Sequence, residues 1–326
     1  MQESEVQAKQ NLAISGAQPP HVRPSHLKYD LTLVLVTMIW GVTFLVAKLT
    51  LRLIGPFTYL SLCYIIATLT LVLIFHKRLR RITRTELLSG LLIGVVLFAG
   101  YGFQTVGLQW VSVSKTGFIT GLYVPLVPLF ALLFLRQRVA VTAIIGVALS
   151  LLGLCLLSIN KQFNLSFGLG EWLVLCCAVS FALQIVFINK FAPSVDAINL
   201  AIVQLALTAV LSLIAVPLNH EPIALPPLMA WVPVSLMGTL DMAFTLLIMN
   251  WVGQFISGTR AALIYALEPV WAVFFGVLLA GDVLSLAAWI GCACILAGMI
   301  VGRLERISFR KRKQAPPITM ERVCDK

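Results

Sequence analysis

Charge is scarce in this sequence: Asp, Glu, Lys and Arg make up only 11% of its 326 residues. A soluble globular domain carries about 25%. A globule of this length built from so little charge cannot cover itself toward water, so a soluble domain is excluded. Acidic residues are the scarcer sign, 13 against 24 Lys and Arg, and histidine occurs four times. No G-x-x-x-x-G-K-[ST] loop is present to cradle the phosphates of ATP. H-E-x-x-H and G-x-S-x-G are also absent, and no histidine lies deep in an apolar block. No enzyme activity is therefore expected. The first 27 residues lack an apolar run of the kind that forms a signal-peptide core, so the first hydrophobic segment is expected to target the chain. Cysteine is present seven times but never at metal-finger spacing with histidines nearby. Cys63, Cys155, Cys176, Cys177, Cys292 and Cys294 lie inside apolar blocks and read as small packing residues; Cys324 sits in the basic tail. Neither a metal nor a cofactor is expected.

What the sequence has is hydrophobicity in long blocks: 60% of residues are apolar and the mean hydropathy is +0.97. Crossing a ~30 Å hydrocarbon core takes about 20 mostly apolar residues in a helix. Ten blocks qualify, near 31–50, 57–75, 87–108, 114–135, 139–158, 171–190, 197–217, 229–251, 260–279 and 284–303. They are too long for the strands of an outer-membrane barrel and lack its alternation. The expected fold is an all-α integral membrane protein. Placing the N-terminus inside puts 20 of the 24 cations on the inner side, leaving Lys48, Arg52, Lys115 and Lys161 outside. Both termini are thus expected to be cytoplasmic, in a multi-pass protein of the cell (inner) membrane. The run Phe309-Arg310-Lys311-Arg312-Lys313 follows the last block closely and reads as a contact with anionic lipid, not nucleic acid. Trp110, Trp172 and Trp231 fall near outer ends and Trp251 near an inner one, where interfacial rings belong.

A shift of 145 residues superposes the fourth and fifth blocks on the ninth and tenth. Leu122 meets Leu267, Phe130 meets Phe275, Gly146 meets Gly291 and Gly153 meets Gly298; Lys115 meets Arg260 just before the helix. Five spans per half is an odd number, so the second half must be inverted in the membrane, a pattern of secondary transporters with a site between the halves.

Three stretches are similar to the EamA family of the drug/metabolite transporter superfamily. They are Trp40-Gly41-Val42-Thr43-Phe44, then Gly102 to Gln109 with Ser114 to Tyr123, then Thr259 to Ile264 with Leu267-Glu268-Pro269-Val270, Gly291 and Ala297-Gly298. The resemblance runs colinearly over about residues 30–303. It implies ten transmembrane helices in two inverted five-helix repeats, 30–158 and 171–303, joined by a linker at 159–170 and flanked by tails at 1–29 and 304–326. It also implies export or exchange of small metabolites by alternating access. The chain departs from the family at Cys63, where Arg is common, at Gln137, where an acidic residue is common, and at Asp241, where a small residue is usual; Asp282 is kept.

Thr116, Thr120 and Tyr123 share a helix face by their i, i+4, i+7 spacing, and Ala261, Tyr265 and Glu268 are their counterparts 145 residues on. A carboxylate in hydrocarbon costs about 2.5–3.5 kcal/mol, which makes Glu268 and Asp241 the first candidates for function. Asp241, half-way along the eighth block with no cation close in sequence, is the candidate for proton coupling or a cationic substrate, with Glu268 beside it in that role. Trp40, Thr43, Tyr101, Gln104 and Gln184 add polar or amphipathic groups at depth. With Tyr123, Tyr265 and Trp271 they could line an aromatic cavity suited to a neutral or zwitterionic metabolite, for example an amino acid. Gly90/Gly94, Gly117/Gly121 and Gly298/Gly302 are small-xxx-small pairs for close helix packing, the last also offering a homodimer face. His220-Glu221 reads as a solvated outer loop.

Overall fold

Residues 27–77, 82–135, 141–158, 167–256, 261 and 264–301 are described by a computed structural model. The cations Lys161 and Arg260, the Arg136-Gln137-Arg138 run, Gly302, residues 1–26 of the N-terminal tail and the C-terminal tail lie outside them. Every apolar block carries helix. In chain order these are α1 (Leu27–Thr50), α2 (Pro56–Phe75), α3 (Arg84–Gly107), α4 (Val113–Gly121), α5 (Tyr123–Leu135), α6 (Val141–Ser158), α7 (Leu169–Phe191), α8 (Ala197–Leu218) and α9 (Leu228–Leu236). A π-helical stretch, Met237–Thr245, joins α9 to α10 (Leu246–Gly253), and α11 (Glu268–Leu279) and α12 (Leu286–Val301) complete the set. Seven stretches are long and apolar enough to cross a membrane, counting α4 with α5 and α9 through α10 as one each. Shorter apolar helices occupy the fifth, ninth and tenth blocks, at Ile144–Gly153, Glu268–Leu279 and Leu286–Gly298.

The helix starts are written locally. Thr83 accepts from the Glu86 amide while the Glu86 carboxylate accepts from the Thr83 amide at 2.7 Å, a reciprocal cap on α3. Ser112 caps α4, Asp196 caps α8, and Pro56 opens α2 where its missing N–H costs nothing. One face of each helix is buried and the other is apolar but exposed, as at Leu35, Leu73, Leu133 and Leu213. Lipid chains, not water, match such an outer surface. Trp110 and Trp172 are exposed near helix ends, where an indole suits the interface.

The halves pack with two-fold reciprocity. Helices α6 and α12 lie against each other, and a Cβ on Gly153 would stand 2.5 Å from the Gly291 carbonyl oxygen. A Cβ on Gly298 would stand 2.6 Å from the carbonyl oxygen of Gly146. Because Gly146 and Gly153 correspond to Gly291 and Gly298, the second contact is the first with the halves exchanged. These glycines let two backbones touch within one chain. The breaks repeat as well: Leu122 separates α4 from α5, and its counterpart Leu267 ends the turn before α11.

One loop departs from its expected solvation. Glu221 is buried, because its carboxylate crosses to the start of α2, accepting from the amides of Phe57 (2.9 Å) and Thr58 (2.8 Å) and from the Thr58 hydroxyl. Free N–H groups at a helix N-terminus, with the helix dipole behind them, draw in an anion. Glu86 does the same in the other half, accepting from the Asp196 amide at 3.1 Å and the Asn199 side chain at 3.2 Å at the start of α8. Asp282 accepts from the Ser114 amide at 2.8 Å at the start of α4.

Candidate functional site

Helices from both halves line a cavity whose empty space, open solvent at its mouth included, is about 600 Å³. The first half contributes Trp40, Thr43 and Phe44 from α1, Tyr64 from α2, Leu97, Tyr101 and Gln104 from α3, and Tyr123 from α5. The second contributes Phe181, Gln184 and Ile185 from α7, Asp241, Met242 and Thr245 from the π-helical stretch, Leu246 and Met249 from α10, and Glu268 from α11. This mixture of aromatic walls with a few polar groups is that of a small-molecule site.

Glu268 and Tyr123 start their helices directly after the two matching breaks, and they meet: the Tyr123 hydroxyl donates to Glu268 Oε2 at 2.8 Å. The partners are 145 residues apart, so the bond joins two positions that the repeat makes equivalent. Pro269, directly after Glu268, has no N–H to offer the preceding turn, which favours the break.

Asp241 is held differently. It sits in the π-helical stretch, a geometry that widens a helix by a residue per turn and recurs at functional sites. Its carboxyl is 2% exposed, and Oδ1 accepts no hydrogen bond among the described residues. Its backbone carbonyl accepts from the Thr245 hydroxyl, which in turn accepts from the Trp40 indole N–H at 3.3 Å. Gly238, three residues earlier, lies against the Cys63 carbonyl and Ile66, so α2 presses on this stretch without space for a side chain at position 238. The Cys63 thiol donates to the Val234 carbonyl at 3.6 Å.

The aromatic walls interlock. Tyr101 meets Tyr64 and Phe181 edge-on, with ring centroids 5.7 and 5.0 Å apart, and Phe181 also contacts Tyr123. Eight of the residues singled out from sequence line the cavity: Trp40, Thr43, Tyr101, Gln104, Tyr123, Gln184, Asp241 and Glu268. Thr120 and Tyr265 stand one layer behind. Gln104 donates to the Thr120 hydroxyl at 3.3 Å, and Tyr265 packs on Trp40 with centroids 5.2 Å apart. Trp271 faces elsewhere, against Phe274 and Phe275, with its Cβ next to Gly41. Nine lining residues were not foreseen, among them Phe181, Thr245 and Met249. The signal for these three was spacing from residues that were: Thr245 and Met249 follow Asp241 by four and eight, and Phe181 precedes Gln184 by three.

Comparison with known proteins places the chain. A transporter of Archaeoglobus fulgidus described as uncharacterized is 30% identical over 274 residues, covering 83% of this chain and 84% of that protein. The uncharacterized transporter YoaV of Bacillus subtilis is 26% identical over 88% of this chain and 99% of its own length. The uncharacterized inner membrane transporter YedA of Escherichia coli K12 is 25% identical over 87% and 93%. A crystal structure with 23% identity superposes at a TM-score of 0.62 over 87% of this chain and 99% of its own, a likeness of fold. The profile of the EamA-like transporter family matches twice, over residues 27–159 and 168–302, and the chain belongs to that family of multi-pass membrane transporters.

Proposed function

We propose that this chain is a secondary carrier that exports or exchanges small metabolites by alternating access. In this reading ten helices cross the cell membrane as two inverted halves, 30–158 and 171–303, with both termini in the cytoplasm. The observation that carries it is the cavity between the halves, lined from both repeats and holding the only membrane-embedded carboxylates among the described lining residues, Asp241 and Glu268. A site shared by two pseudo-equivalent halves is exposed to one side or the other as the halves rock. Asp241 is the proton-coupling group, since its carboxyl lines the cavity with one oxygen uncommitted. Glu268, tied to Tyr123, links the halves at the site.

Reconstitution into proteoliposomes tests the carrier. Saturable uptake accelerated by substrate on the far side supports it; flux that rises linearly with the gradient indicates a channel instead. Asp241→Asn tests the coupling, which fails if transport rate and pH dependence are both unchanged.

A further inference from the structure

The cavity is chemically one-sided. Its lining includes two carboxyl side chains and, among the described residues, no Lys, Arg or His. Among the described residues, Lys48 and Lys115 are committed elsewhere. Lys48 donates to the Val111 carbonyl, and Lys115 pairs with Glu171 at 2.6 Å. Several of the cavity's donors are engaged as well: the Trp40 N–H with Thr245, the Gln104 amide with Thr120 and the Tyr123 hydroxyl with Glu268, while the Tyr64 hydroxyl has no partner among the described residues. An acceptor is not: buried Asp241 Oδ1 has no partner among the described residues. Helix α11 begins at the site, and the positive end of its dipole already has the Glu268 carboxyl in its first turn.

Resting on the carrier reading, we infer that the cargo is an amine cation: a protonated amine on an apolar or aromatic body, with no free carboxylate or phosphate. An ammonium offers three donors and no acceptor, which complements Asp241 and the far oxygen of Glu268. The faces of Trp40, Tyr64, Tyr101, Tyr123 and Phe181 supply aromatic surface that attracts a cation and packs on a ring. A carboxylate on the cargo would enter a site already holding two acids and no cation, where like charges repel strongly because water is scarce. Within the amino-acid expectation, the amino end therefore finds charged partners, and the carboxylate end finds no cation among the described lining residues.

The full chain in nanodiscs is titrated with four probes that share a phenylalkyl body: phenethylamine, 2-phenylethanol, 3-phenylpropionate and phenylalanine. Phenethylamine is expected to bind at least about tenfold more tightly than the neutral, anionic or zwitterionic probe, a difference of about 1.4 kcal/mol. Asp241→Asn is expected to remove that preference, and Asp241→Glu to restore it. Equal or tighter binding of any other probe overturns the inference, as does undetectable phenethylamine binding or a preference that survives Asp241→Asn. Where Asp241→Asn does not fold, the rank order in the unaltered chain decides. Counterflow with each binding probe separates the two readings. Carrier flux of phenylalanine without amine binding sinks the cargo class alone; amine binding without counterflow sinks the carrier alone.

Discussion

The carboxylates at the helix ends, Glu86 and Glu221 buried and Asp282 half-buried, are satisfied differently from the two buried at the centre of the molecule. At the ends, Glu86, Glu221 and Asp282 each accept from backbone amides at the start of a helix from another part of the chain. Glu86 and Glu221 accept additional side-chain donors. At the centre, among the described residues, Asp241 has an oxygen without a partner and Glu268 has one tyrosine hydroxyl. A buried acceptor left unmade costs about 1–3 kcal/mol, so the chain stabilises its ends and tolerates a deficit at its centre. The contrast separates carboxylates that hold the fold from those available to something that comes and goes.

Four substitutions sharpen or break that contrast. Removing an end carboxylate should have the largest effect. Glu221→Ala strands two amides and a hydroxyl, and should lower stability by about 3 kcal/mol in denaturant unfolding in detergent. A loss below about 1 kcal/mol would show that this carboxylate is not a structural tie. Gly153→Leu forces a side chain between α6 and the Gly291 backbone, and should cost about 2 kcal/mol by the same measurement. Unchanged unfolding would contradict the close approach of these helices. Asp241→Asn should leave stability within about 0.5 kcal/mol, since no observed bond to Oδ1 is lost, yet reduce transport at least tenfold, about 1.4 kcal/mol in activation. Marked destabilisation with normal transport would move Asp241 into the structural group. Tyr123→Phe removes one hydroxyl donor from Glu268 and should cost about 1 kcal/mol of stability. A Glu268→Gln partner in a double-mutant cycle checks that the loss belongs to this bond.

Much of the site was legible one helix at a time. Asp241 and Glu268 stand out because a carboxyl in an apolar run is expensive, and Gln104, Gln184 and Trp40 are conspicuous for the same reason. The 145-residue repeat makes Tyr123 and Glu268 equivalent positions. Glu221 was misplaced because its partners, Phe57 and Thr58, are more than 160 residues away, and nothing in the local run His220-Glu221 points to them. Trp271 shares a helix with Glu268 but points to Phe274 and Phe275, an orientation set by packing on Gly41 and not by composition.

By itself, the amino-acid sequence determined that this is a membrane-embedded, helical, twice-repeated chain, because hydrophobic length, scarcity of charge and the spacing of small residues are local quantities. The tertiary structure alone decided which polar groups are already satisfied. Hydrogen bonding over 145 or 164 residues depends on which helix ends meet, and that is a property of the packed halves together.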